Sequence, residues 1–165
     1  MSNLVYLMTG LPSLTFGQVP PISMSEFYHD AKSQLSSAHY NMLESADLQE
    51  MDEKLVSSRV RGLSTLFREI SNDLAEVRHA RTLNRQPRLE RLPLGTLAGN
   101  PLEREKKILQ YEWEELDTIE AGKTFTMTEV IVYKLKLQIL IRLHSFNAQQ
   151  GAQVLASVVN PSTKK

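Results

Sequence analysis

The clearest hydrophobic pattern lies in the middle of the chain, where seven apolar residues recur at alternating spacings of four and three. They are Val56, Val60, Leu63, Phe67, Ile70, Leu74 and Val77. These spacings predict one long helix with an apolar seam along one face, interrupted by no helix-breaking residue except Gly62. The seam could pair with a second chain in a coiled coil. Because other segments are also amphipathic, the pattern favours a bundle helix that faces its own core.

A second pattern, VIVYKLKLQILIRL, covers residues 130–143. From Tyr133 to Ile139 apolar and polar residues alternate, which is typical of a strand. The whole segment is long for a strand, and Thr126 and Glu129 stand before it at capping-box spacing, which is a helix signal. We therefore predict a helix.

One charge on the predicted 130–143 helix is out of place. Lys134, Gln138 and Arg142 would share one face, whereas Lys136 would lie nearly opposite them on an apolar face. Most such lysines extend their aliphatic stem to solvent, and a minority pair with a buried carboxylate.

The start of the chain combines a short apolar element with glycines and prolines, so residues 1–22 are predicted to be largely irregular. Ser23 and Glu26 then have capping-box spacing, in which each side chain accepts a hydrogen bond from a free amide of the helix start. Helices are expected over 24–35 and 37–46.

Residues 87–101 hold prolines and glycines and form the predicted internal loop. A helix restarts with Asn100 as the cap, Pro101 at the first position and Glu103 at the third, and should stop near Gly122. Its apolar face consists of Leu102, Leu109, Trp113 and Leu116.

These patterns predict an all-α fold, an antiparallel helical bundle of about five or six helices with an irregular N-terminal segment, in a single domain over residues 1–165. Gly151 is expected to break or bend a final short helix that ends before Pro161. The 56–77 seam would be the spine of the bundle. The rest of the core is predicted to come from Leu109, Trp113, Leu116, Val132, Leu135, Ile139 and Leu143.

Composition narrows the function classes. With 165 residues, 41% hydrophobic and 23% charged, the chain suits one folded domain. Its 19 basic and 19 acidic residues cancel, so a general nucleic-acid binder is not expected. No cysteine is present, which suits a reducing compartment. The first apolar stretch lacks a preceding basic region, and charges interrupt residues 130–143. We expect neither a signal peptide nor a direct membrane span, and a cytoplasmic location.

Two Glu-x-x-His pairs offer an alternative of a different class. Glu26 with His29, and Glu76 with His79, have the spacing with which di-metal helix bundles hold their ions. Such a site needs all four side chains to face inward. Glu76 and His79 fall on the side of the seam helix away from its apolar residues, and Glu26 serves as a capping residue. No metal site is therefore predicted, and these residues stay an alternative only.

The remaining chemistry is sparse. The four histidines, His29, His39, His79 and His144, stand in no recognisable nucleophile motif. No glycine-rich phosphate loop is present. We expect no enzyme, no catalytic residue and no cofactor.

Four arginines are the residue-level candidates for partner binding: Arg78, Arg81, Arg85 and Arg88. On a continuous helix they would span an arc of roughly 80° at about 100° per residue, although Pro87 is expected to break the helix before the last one. They could bind an acidic partner. Alternatively, they could neutralise the segment 103–120, which holds seven acidic and three basic residues.

Two blocks of sequence resemble bacterial proteins encoded among the subunits of V-type (A/V-type) ATPases. The first is YLMTGLPSLTFGQVPPISMSEFYHDAKSQLS, residues 6–36, in which an apolar start leads into GLP, FG and PPIS before the first long helix. The second is residues 100–151, with NPLE at a helix start, WEELD within it, and YKLKLQILIR followed by a turn with glutamine and glycine. The blocks cover about half of the chain, and residues 46–99 carry no such resemblance.

The resemblance implies a non-catalytic accessory or connector subunit of a V-type ATPase, a shortened relative of the C or d central-stalk subunit that seats the rotor on the membrane ring. Its partners would be protein subunits of that complex, at the inner face of the membrane. Connectors of that type are longer and hold three similar helical segments, so this chain would supply only part of one. The alternative is a generic helical adaptor or a dimeric regulatory protein, in which the seam would form a homo-oligomer.

Overall fold

The computed structural model describes residues 1–50, Val60 and residues 62–159. Within these residues the protein is all-helical, with six α-helices, one short 3-10 helix and no strand. The helices are α1 (Leu4–Gly10), α2 (Met24–Gln34), α3 (Ser37–Ser45), α4 (Leu63–Thr82), α5 (Pro101–Glu120) and α6 (Met127–Val159), and the 3-10 helix covers Leu94–Leu97. The predicted helical bundle is confirmed. The N-terminal segment differs in one respect, since α1 makes its first part helical.

The predicted caps are present, but only one of the three is a complete box. At α6, Thr126 Oγ1 accepts from Glu129 N–H at 3.4 Å, while the Glu129 side chain accepts from Phe125 N–H instead of Thr126 N–H. Asn100 and Glu103 form the complete capping box of α5, with the Asn100 side chain accepting from Glu103 N–H and the Glu103 side chain accepting from Asn100 N–H. At α2, the Ser23 hydroxyl accepts from Glu26 N–H at 3.1 Å. No return bond from the Glu26 side chain is formed among the described residues, so the reciprocal box predicted there is wrong. Gly122, at φ 73°, lies just past the end of α5 as expected.

The seam is not one continuous helix. Gly62 has φ 88°, a left-handed conformation that an α-helix cannot contain, and α4 begins at the next residue. Val56 lies outside the described residues. The seam residues Val60, Leu63 and Ile70 are buried within this chain, so this part of the seam faces the protein's own core, as the bundle explanation requires.

The spine of the bundle is α6 rather than the seam helix. It packs against α1, α2, α3 and α5, and nearly every side chain from Val130 to Leu140 is buried. The strand alternative for residues 130–143 is wrong, because the chain is helical throughout. Gly151 neither breaks nor ends this helix, which runs to Val159. One glycine costs a helix only about 1 kcal/mol relative to alanine.

Helices α5 and α6 form an antiparallel hairpin. Lys136 near the start of α6 pairs with Asp117 and Glu120 near the end of α5. Farther along α6, Arg142 pairs with Glu105 near the start of α5, at 2.6 Å. The two ion-pair positions fix the register between the helices. Of the core residues predicted in these two helices, Leu143 is half-buried and the others are buried. The buried ones are Leu109, Trp113, Leu116, Val132, Leu135 and Ile139.

The N-terminal segment packs onto this hairpin. The ring of Phe16 meets Trp113 edge-on, with centroids 5.5 Å apart, and Phe27 on α2 stacks on Tyr133 at 5.6 Å. The Tyr133 hydroxyl donates to the carbonyl of Pro12 at 2.7 Å. Residues far apart in sequence therefore share one hydrophobic core.

Candidate functional site

The four candidate arginines do not lie on one helix face. Arg78 and Arg81 are exposed in the last turns of α4, which ends at Thr82. Asn84 then adopts φ 51°, and Arg85 and Arg88 follow in the segment that turns back along the helix. The predicted arc is wrong at Arg85, because the helix already ends at Thr82, and Arg88 lies off the helix as expected.

Glu76 holds the returning segment. Its Oε1 accepts from Arg85 Nη1 at 2.5 Å and from the backbone N–H of Arg88 at 3.3 Å. The hydrogen bond from Arg85, followed by that from Arg88, holds the pKa of Glu76 below its ordinary value. Both partners of this ion pair are accessible to water, so it orders the turn more than it stabilises the fold.

Asp73 anchors the same segment from within the protein. Its side chain is only 2% exposed, and its two oxygens accept from the backbone N–H groups of Glu90, Arg91 and Leu92 at 2.9, 2.9 and 2.7 Å. Burial raises the pKa of Asp73, but these hydrogen bonds outweigh burial and leave the pKa below its ordinary value. The predicted internal loop is therefore fixed to α4 at its start.

Arg91 then joins two helices. Its guanidinium pairs with Glu69 on α4 and, at 3.1 Å, with Glu115 on α5. The acidic helix α5 is thus neutralised in part by an arginine of the loop. That arginine is Arg91, and among the described residues none of the four predicted arginines pairs with α5.

The exposed surface that remains is cationic. We call Arg78, Arg81, Arg88 and the 56%-exposed Leu83 the basic end of the molecule. Because Asp73 and Glu76 fix the loop, the basic end is ordered before any partner binds. Exposed arginines beside an exposed apolar residue can bind an acidic surface.

The alternative metal residues are not brought together. Glu26 and His29 are exposed on α2, His79 is exposed on α4, and Glu76 is engaged by Arg85. The inward-facing arrangement that a di-metal site requires is therefore not formed. Among residues 1–50, 60 and 62–159, no group of three or more His, Asp or Glu could hold a metal ion.

The two lysines of α6 are both buried and both partnered. Lys136 makes the carboxylate pair that was one of its two predicted alternatives, and its ammonium lies 5.1 Å from the centre of the Trp113 ring. Lys134 is fully buried, and its ammonium donates to the carbonyl of Leu43 at 2.8 Å and lies 5.3 Å from the centre of the Tyr28 ring. Burial lowers the pKa of Lys134.

Glu112, like Asp73, is a buried charge that sequence reasoning missed. It lies on α5, three residues after Leu109 and four before Leu116, and only 7% of it is exposed. That spacing places Glu112 on the apolar stripe of the helix. The spacing is the sequence signal by which its burial could have been predicted. Burial, with a smaller contribution from Glu105, raises the pKa of Glu112 to about 7.

No helix in the described residues is both long enough and apolar enough to cross a membrane. A sequence model of one protein family, described as "Protein of unknown function (DUF2764)", matches residues 80–164. This match includes the end of α4, the loop, and the hairpin of α5 and α6. No curated protein matches the chain, and no solved structure matches it.

Proposed function

Because the chain belongs to the DUF2764 family, which has no assigned activity, we propose a role from its sequence and structure: a non-catalytic accessory or connector subunit of a V-type ATP synthase/ATPase. It binds central-stalk or rotor components through its helical surface and needs no cofactor. It acts in the cytoplasm, at the inner face of the membrane.

The observation that carries this proposal is the meeting of the two blocks that resemble proteins encoded with V-type ATPase subunits. Residues 6–36 and 100–151 are separated by a long stretch without that resemblance, yet they pack into one core. Phe16 contacts Trp113, and Phe27 stacks on Tyr133. The resemblance therefore covers one structural unit rather than two unrelated fragments.

Rigidity is a second support. A connector must transmit force without yielding, and here each buried lysine of α6 ties it to another helix, Lys136 to α5 and Lys134 to the end of α3. Charge-assisted hydrogen bonds of this kind resist sliding, because breaking one leaves a buried charge unpaired.

The basic end is the proposed contact with the complex. Its exposed arginines would meet an acidic face of a stalk subunit, and such contacts speed association and fix orientation. Arg85 contributes less than the sequence suggested, since Glu76 already holds it.

The test is affinity purification of the tagged protein from detergent-solubilised native membranes, with quantitative mass spectrometry. We expect ATPase stalk subunits to be recovered with the unaltered protein and to fall at least tenfold with Arg78→Glu/Arg81→Glu. The matched control is Lys32→Glu/Lys123→Glu, which makes the same charge change at exposed residues elsewhere and should keep the partners.

Each outcome decides a different point. Absence of ATPase subunits from the unaltered protein, at low and moderate salt, would contradict the proposed role and leave a helical adaptor in its place. Recovery that Arg78→Glu/Arg81→Glu leaves unchanged would support the role and reject the basic end as the contact.

A further inference from the structure

A cavity of about 360 Å³ lies among α4, α5 and the residues that follow α3. Phe67, Ile70 and Leu74 of α4 line one side, Leu48 lies at another, and Glu112 of α5 contributes a carboxyl group. Its volume is within the range of small-molecule sites, which are largely apolar with a few placed polar groups.

Glu112 is the feature of this cavity that calls for a ligand. More than nine-tenths of the residue is buried, and its Oε2 has no hydrogen-bond donor among the described residues. Buried carboxylates are nearly always paired, since an unpaired one costs several kcal/mol. In the described part of the chain, the other buried charges, Asp73, Lys134 and Lys136, all have partners.

The charge around the cavity also favours a cation. Asp47 lines it as a second carboxylate, and hydrogen bonds from Gln49 N–H and the Gln138 side chain outweigh burial and hold its pKa below the ordinary value. Arg68 of α4 lines the cavity but is exposed and forms no ion pair among the described residues. The acidic groups of the described lining are thus the buried Glu112 and the half-buried Asp47, whose charge also interacts with Lys134.

We propose that this cavity binds an organic cation, a primary ammonium or guanidinium group on an alkyl stem, with Glu112 as its counter-ion. The apolar wall accommodates the stem, and the Phe67 ring presents a π surface to the cation. The hydroxyl of Ser71 and the side-chain amide of Asn72, which also line the cavity, can accept N–H bonds that Glu112 does not. A metal ion suits it less, because the described lining offers two carboxylates and no histidine. This inference does not depend on the ATPase proposal.

Protonation of Glu112 should compete with the cation. A carboxyl with a pKa of about 7 is about a tenth ionised at pH 6 and about nine-tenths at pH 8, so affinity should rise about tenfold between them. Among the described residues, Glu105 on the same helix is the charged group that acts on Glu112, and Asp47 beyond α3 and Arg68 on α4 line the same cavity.

The experiment is titration of the ¹⁵N-labelled protein with n-butylguanidinium, n-butylammonium and the neutral n-butylurea, followed by NMR. We expect saturable shifts of the amides of Phe67, Ile70 and Glu112 with the two cations and none with the urea. Glu112→Gln should weaken cation binding at least tenfold, and the control Glu114→Gln, an exposed residue of the same helix, should leave it within twofold.

A blocked arginine peptide separates the two sources of such a cation. At least tenfold tighter binding than n-butylguanidinium would assign the site to a basic side chain of a polypeptide, and equal binding would assign it to a free cation. Equal binding of n-butylurea, unchanged affinity in folded Glu112→Gln, or no shifts with either cation would overturn the proposal.

Discussion

Two buried carboxyl groups on neighbouring helices have opposite environments. Asp73 on α4 is 2% exposed and accepts three backbone N–H bonds, whereas Glu112 on α5 is 7% exposed and has an oxygen without a donor among the described residues. The pKa of Asp73 lies below its ordinary value, and that of Glu112 is raised to about 7. The exposed fractions are similar, but Glu112 lies deeper in the protein, so deeper burial and the missing donors together raise its pKa.

The source of those donors explains the contrast. The loop that returns along α4 has free amides, because residues 90–92 belong to no helix. Glu112 instead shares its cavity with residues of α4 and with residues 47–49 after α3, and none of them donates to it among the described residues. A buried acid that receives loop amides can therefore stay charged, whereas one without donors needs a proton or a ligand.

The largest expected effect comes from removing the satisfied carboxylate. Asp73→Ala leaves three backbone N–H groups without their acceptor and should lower the free energy of unfolding by about 4 kcal/mol. Urea denaturation at pH 7 measures it, with exposed Asp30→Ala as the control. A loss no larger than that of the control would mean that the loop is held by other contacts.

The unsatisfied carboxyl should give a pH dependence of a particular sign. Because the folded pKa of Glu112, about 7, exceeds its ordinary value of 4.5, the folded state binds more protons between these values. The free energy of unfolding contributed by this group should fall by about 3 kcal/mol as pH rises through that window, and stay level above it.

Glu112→Gln should remove this pH dependence, and Glu114→Gln should retain it. Urea denaturation at pH 5 and pH 8 checks both. An unchanged difference between pH 5 and pH 8 in Glu112→Gln would show that Glu112 is not the titrating group.

The pH dependence contributed by Asp73 has the opposite sign. Its depressed pKa contributes stability above the ordinary aspartate pKa, and this stability is lost as pH falls through the folded pKa.

The buried ion pair of Lys136 should contribute less to the free energy of unfolding than the hydrogen bonds of Asp73. Lys136→Met keeps the aliphatic stem but loses the bonds to Asp117 and Glu120, and we expect a loss of about 2 kcal/mol because the first carboxylate is half exposed. Trp113, the sole tryptophan, lies beside the ammonium and reports the change by fluorescence. Lys32→Met, at an exposed position, is the control, and equal losses would reject the pair as a stabilising contact.

The smallest effect is expected at the exposed pair. Arg85→Ala removes the ion pair with Glu76, which is accessible to water on both sides, and should leave the denaturation midpoint unchanged. Glu76→Ala also loses the hydrogen bond from Arg88 N–H. It should loosen the turn without a further effect on the denaturation midpoint. A clear drop in the midpoint of Arg85→Ala would show that the basic end is structurally required.

Local sequence signals predicted the helix starts well. The complete capping box at Asn100 and the start of α2 after Ser23 depend on residues three apart, so they could be read directly. The alternation of apolar and polar residues around Tyr133 suggested a strand as the alternative. It does not mark a buried and an exposed face, because α6 is buried on nearly all sides there. The arginine arc failed because it extrapolated a helix past its end at Thr82.

The sequence by itself determined the all-helical class, the helices α5 and α6, and part of the core, because these follow from periodicity and capping over a few residues. Tertiary structure decided the break at Gly62, where the chain takes a left-handed conformation, and the continuity of α6 through Gly151. It also decided the fate of each buried charge. The acceptor of Lys134 is a carbonyl 91 residues away, and the donors of Asp73 lie in a loop 17 to 19 residues away. Glu112 has no such donor at Oε2 among the described residues, because no spacing along a helix can specify what the fold places opposite it.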